Sequence, residues 1–322
     1  MRTFAATGSC SGGSCIYAPT DSVCAVGLVC GGTPAACARP SCRGLAATCG
    51  PNGTGDCCAS SEVPGGTFNR GDDPNTPATL STFKLDTYQV TVGRFRNFVT
   101  AYANGWRPAA GQGRNPNNPQ DPGWNPAWAS QLPATLPDVL ACSPMSNWTN
   151  SPGTNESRPI VCESWQEAFA FCIWDGGRLA TEAERKYAAA GGNEQRVYPW
   201  SSPPSSTVID SSYASYNCTG DGSAAGDCAI TDLIIVGSKP RGNGRWGHAD
   251  LAGNVFEWIQ DFSADYVVPC NDCADLNNGT WRIIGGSGYG YDVSYMKSSF
   301  RFSLYPGYLR TPDLGVRCVM VP

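Results

Sequence analysis

The sequence holds a single histidine, His248, and that scarcity removes whole classes of chemistry. A three-histidine zinc centre, a two-histidine iron triad and an HExxH site cannot be assembled inside one chain with one imidazole. A serine triad would have to use His248 itself, and no serine sits in a G-x-S-x-G elbow. Charge is also sparse, at 15% of residues with a net charge of −5, and no basic cluster offers a footprint for nucleic acid. No apolar run approaches the roughly 18 residues of a membrane span, so no transmembrane segment is expected. The opening "MRTFAATGSC" lacks the apolar stretch of a signal peptide, so none is visible.

Glycine, proline and cysteine are abundant, at 38, 25 and 17 residues. The first two predict many turns and few long regular elements. Cysteines spread through hydrophilic loops predict an extracytoplasmic, secreted or cell-surface protein held by disulfides. Nine of them lie in residues 1–58, a stretch too poor in large apolar side chains to build a core. Residues 1–61 therefore read as a cysteine-rich, disulfide-linked arm or stalk, and a zinc site is the alternative. An odd total leaves at least one thiol unpaired.

From residue 62 onward tryptophans, tyrosines and short β-branched runs mark a second unit, 62–322. Three helices are legible: Val92–Ala103 after the N-cap Thr91, one opening on the capping box Ser164/Glu167, and one on Thr181/Glu184. Strands are expected at 82–88, 159–162, 233–238, 281–284, 298–304 and 315–321.

In "HADLAGNVFEW" Asp250 and Glu257 are hard oxygen donors around a Gly253–Asn254 turn, which suits calcium, or else forms an Asx-capped turn entering a strand. His248 reads as a turn residue. Cys270 and Cys273 form a C-x-x-C that is a redox pair or a loop clamp, without the strand–helix context of the former.

The blocks "VPGGTF", "YQVTVGRFRNFV", "RPIVCESWQEAFAFCIWDGGRLATEAERKYAAAGG", "LAGNVFEW", "RIIGGS" and "LGVRCV" together resemble the formylglycine-generating enzyme (sulfatase-modifying factor) family. The resemblance implies an α+β fold related to C-type lectins with little regular structure. It implies structural calcium held by the side chains of Asp250 and Glu257 and the carbonyls of Gly253 and Val255, with a second site near Asn217 and Asp227. It also implies the disulfide Cys172–Cys318, after which the remaining cysteines pair as Cys142–Cys162, Cys218–Cys228 and Cys270–Cys273.

Active members carry, after the GGS, two cysteines that bind copper(I) and oxidise a substrate cysteine to formylglycine. In this chain those places fall on about Gly290 and Tyr295, and copper is not expected, because copper(I) wants soft sulfur. The resulting expectation is a calcium-stabilised pseudoenzyme whose groove, lined by Ser287, Tyr289, Tyr291, Tyr295, Phe256 and Arg301, binds a peptide or glycan. The alternative is an oxidoreductase acting on a protein cysteine with altered metal ligands drawn from Met296, His248 and tyrosine oxygens.

Overall fold

The Thr91 side chain accepts from Arg94 N, so helix α1 (Val92–Ala103) starts with one of its free backbone donors satisfied. The computed structural model, which describes residues 39–277 and 279–320 together with the backbone of short strands between residues 2 and 38, builds outward from this and two further capped helices. Helix α2 (Trp165–Trp174) opens on Ser164 and α3 (Glu182–Ala190) on Thr181, each with a reciprocal capping box. Helix α3 stops where Gly191 turns left-handed at φ +65°, a conformation in which glycine pays no Cβ penalty.

Eleven short strands follow from residue 60: β1 (Ser60–Val63), β2 (Gly66–Asn69), β3 (Pro77–Leu80), β4 (Phe83–Asp86), β5 (Gly177–Leu179), β6 (Phe256–Phe262), β7 (Cys270–Asn271), β8 (Trp281–Gly285), β9 (Phe302–Pro306), β10 (Leu314–Val316) and β11 (Cys318–Met320). They form three sheets ordered β5-β11-β4-β1, β9-β8-β6-β10 and β7-β3-β2. In the second sheet β6 runs antiparallel to β8 and parallel to β10, with Glu257 opposite Gly285 and Phe262 opposite Arg282. The main core packs α1 and α2 on this sheet through Phe95, Phe171, Trp165, Phe256 and Trp258, all fully buried. Phe95 and Phe171 stack with ring centres 5.2 Å apart.

Two expected strands are absent. Residues 233–238 form no ladder because their amides are claimed one by one: Ile234 N donates to Asn254 Oδ1, Val236 N to Ser157 O and Gly237 N to Asp250 Oδ2. Residues 159–162 make only an isolated bridge, and Cys162 turns to φ +71°.

Six disulfides join described residues: Cys42–Cys58, Cys49–Cys57, Cys142–Cys162, Cys172–Cys318, Cys218–Cys228 and Cys270–Cys273. Cys10, Cys15, Cys24, Cys30 and Cys37, with the unpaired thiol expected among them, lie outside the described side chains. Residues 39–58, part of the expected arm, pack against the expected second unit. Arg39 is buried and bonds Asp86 at 2.6 Å and Asp175 at 2.5 Å, while Arg94 bonds the same two carboxylates at 2.9 and 2.7 Å. Two guanidiniums against two carboxylates balance a charge cluster that burial would otherwise make costly.

Candidate functional site

Strand β8 ends at Gly285, and Gly286 at φ +76° turns the chain into the loop carrying Ser287 to Met296. The loop is held from behind: Tyr289 N donates to Asn254 O at 2.8 Å, Cys218 N to Tyr289 O and Asn217 N to Tyr291 O, each also at 2.8 Å. Asn254, at φ +66°, binds Gln89 and the backbone of Ile234 through its amide, which fixes the turn from which the loop hangs.

The groove expected here is largely closed. Ser287 and Phe256 are fully buried and Tyr289 nearly so. Arg301 is committed to both oxygens of Glu182 at 2.8 and 3.0 Å. That leaves Tyr291 and Tyr295 partly exposed, their rings 4.9 Å apart, with Tyr291 set edge-on against Phe256 at 4.8 Å and its hydroxyl 3.4 Å from that of Tyr305. Burial pushes the Tyr289 phenol up to about 12, and burial with the Tyr305 contact raises Tyr291 as well. Both therefore keep their protons at neutral pH.

The donors needed for copper(I) do not meet at this loop. Position 290 is glycine and position 295 tyrosine, and a Cβ built on Gly290 would lie 3.4 Å from the sulfur of Cys228, which is already bonded to Cys218. Met296 is fully buried in a separate cluster with Tyr198 and Trp200. His248 is fully buried too, and burial together with the charge of Arg317 pushes it down to about 4, so its ring stays neutral.

At Asp250, Gly253, Val255 and Glu257, where calcium is expected, cationic side chains crowd the carboxylate. The buried Glu257 carboxylate is spanned by two buried guanidiniums, with Arg185 Nε at 2.5 Å on one oxygen and Arg317 Nη2 at 3.0 Å on the other. Arg185 Nη2 takes the Leu251 carbonyl at 2.7 Å, and Gln89 Nε2 takes the Val255 carbonyl at 3.0 Å. The Asp250 carboxylate accepts from Gly237 N at 2.6 Å, and burial pushes it up to about 6. Both oxygens of Glu257 and the Val255 carbonyl thus face donors, two of them cationic, and a divalent ion beside Glu257 would meet their repulsion. Arg185 and Arg317 compensate the buried Glu257 charge at this turn. Near Asn217 and Asp227, Asp227 is exposed and the loop is organised by Asp232, which accepts from the Gly220, Asp221 and Ala229 amides. Among the described residues no three His, Cys, Asp or Glu side chains converge as a metal centre.

Sequence reading overlooked Arg185, Arg317 and Gln89 as partners of this turn. The available signal was Arg185 itself, an arginine in the alanine-rich, buried run "TEAERKYAAA".

A family model described as sulfatase-modifying factor enzyme 1-like domain matches residues 46–321. The formylglycine-generating enzyme of Streptomyces coelicolor is 28% identical over 296 residues, covering 80% of this chain and 87% of that protein. The mouse protein named inactive C-alpha-formylglycine-generating enzyme 2 is 28% identical over 288 residues, covering 80% and 83%. Among solved structures, PvdO from Pseudomonas aeruginosa aligns with a TM-score of 0.53 at 20% identity, covering 81% of this chain and 93% of that one.

Proposed function

The chain belongs to the family of sulfatase-modifying factor enzyme 1-like domains, and from that membership we propose that it is a non-oxidase member, an exported recognition module that binds a peptide or glycan. The observation that carries this reading is the loop after Gly285–Gly286–Ser287, which offers glycine at 290 and tyrosine at 295 where copper(I) chemistry needs two thiolates. Loss of both soft ligands is a larger change than an oxidase centre tolerates. The protonated phenols of Tyr289 and Tyr291 make poor substitutes. The mouse relative whose name calls it inactive supports the same reading.

Six disulfides among the described residues favour an oxidising compartment. The part-exposed rings of Tyr291 and Tyr295 suit contact with a peptide or a sugar face. The test is metal content by mass spectrometry after dialysis against copper, iron and calcium, joined to oxygen uptake in the presence of a cysteine-bearing peptide. The expected result is neither copper nor iron and no uptake. Stoichiometric copper or iron with cysteine-dependent uptake would replace this reading with an oxidoreductase using altered ligands.

A further inference from the structure

At the end of the β6–β8 pair remote from the tyrosine loop, Gln260, Phe262 and Arg282 line a cavity of about 360 Å³ whose other wall is Trp124, Trp128 and Trp165. Three polar groups in this wall lack what they need. Trp124 Nε1 and Gln260 Oε1 are buried with no hydrogen-bond partner, which is unusual in a folded protein unless something else supplies one. The third is Arg282, almost fully buried, with its guanidinium carbon 3.5 Å from the Trp165 ring centre and 3.4 Å from that of Phe262.

Both faces of the Arg282 guanidinium are thus covered by rings. Its edge donates through Nη1 to the Gln260 carbonyl at 2.7 Å, and among the described residues no carboxylate forms an ion pair with it. The carboxyl that acts on it, Asp261, is buried and pushed up to about 8, and it makes no ion pair with Arg282. Asp121, which also lines the cavity, forms no ion pair with Arg282, and its oxygens accept from Asn115 N, Gly123 N and Gln260 Nε2 at 2.7 to 2.8 Å. Burial lowers Arg282 only to about 9, so the cation persists. A buried charge normally has a partner.

We propose that this cavity binds a carboxylate carried on a flat aromatic body, the carboxylate pairing with Arg282 and the ring lying among Trp124, Trp128 and Trp165. A neutral aromatic leaves the guanidinium uncompensated, and an aliphatic acid leaves the tryptophan walls unfilled. Trp124 Nε1 and Gln260 Oε1 remain for one acceptor and one donor on the ligand. The aromatic acid can be a free small molecule or the C-terminal residue of a peptide, which present the same chemistry. The site stands apart from the tyrosine loop and holds whatever that loop does.

The experiment is titration calorimetry on the full, disulfide-intact chain with 3-phenylpropionate and indole-3-acetate, their neutral amides, acetate, and a tripeptide ending in phenylalanine as acid and as amide. The expected result is saturable binding of at least one aromatic acid, weakened about thirtyfold or more in the matching amide, and no binding of acetate. Binding of the tripeptide acid alone assigns the peptide terminus; binding of the small acids assigns the free source. An amide that binds as tightly as its acid, or no aromatic acid bound at millimolar concentration, overturns the proposal. Arg282→Met should lose the acid's advantage over its amide; if that variant fails to fold, the acid–amide comparison on the unaltered chain decides alone.

Discussion

Glu257 and Asp261 sit four residues apart on β6 and illustrate opposite fates of a buried carboxyl. Glu257 is held below the usual carboxylate range, because the attraction of Arg185 and Arg317 outweighs its burial. Glu257→Gln would leave two buried guanidiniums facing a neutral amide, and a loss of about 3–5 kcal/mol is expected in urea unfolding. Because guanidiniums occupy the turn, the melting temperature of the unaltered protein should not move when EGTA replaces calcium in the buffer; a drop on chelation would restore the calcium reading. Asp261 goes the other way, pushed up to about 8 by burial and then by Glu182. An acid whose folded pKa is raised contributes stability that is complete below its unfolded value of 3.8 and is lost as pH rises towards about 8. Stability should therefore fall by several kcal/mol between about pH 4 and pH 8, and Asp261→Asn should flatten that slope in a series of thermal melts.

For the helices, local chemistry and final structure agree. Ser164→Ala removes the side-chain acceptor for Glu167 N and should cost about 1 kcal/mol in chemical denaturation. This agreement is why α1, α2 and α3 were legible from capping boxes and apolar spacing: each end is closed by residues within its own first turn. The run "LIIVGS" at 233–238 was not legible as a loop, since its composition is that of a strand. What overrides it is distant, namely Asn254, Ser157 and Asp250 taking its amides. The partners of the turn at 250–257 were hidden for the same reason. Its donors were visible in sequence, but Arg185 on α3 and Arg317 beside β11 arrive from 72 and 60 positions away. The positions of Gly290 and Tyr295 were readable because they depend only on a count from the local GGS.

Across the whole molecule, long loops are closed by covalent links in place of extensive sheet. Cys172–Cys318 joins residues 146 apart, tying α2 to β11. On the chain-entropy model a closure of that length stabilises by about 4–5 kcal/mol. A Cys172→Ala/Cys318→Ala double variant should unfold at markedly lower urea while keeping the far-ultraviolet spectrum at low denaturant.

The docking of Arg39 carries a consequence for what counts as an indivisible piece of this chain. The segment around it closes on itself through Cys42–Cys58 and Cys49–Cys57, with no disulfide from these cysteines to the remainder. It is thus joined to the rest by one peptide connection and by non-covalent contact, like a subunit that happens to share a backbone. Residues 62–322 alone would keep Asp86 and Asp175 with Arg94 as their only cation from this cluster. Such a fragment should aggregate, and adding oxidised peptide 38–59 in trans should rescue it, the behaviour of a split protein; a fragment 62–322 that stays monomeric with the parent melting temperature would dissolve that analogy.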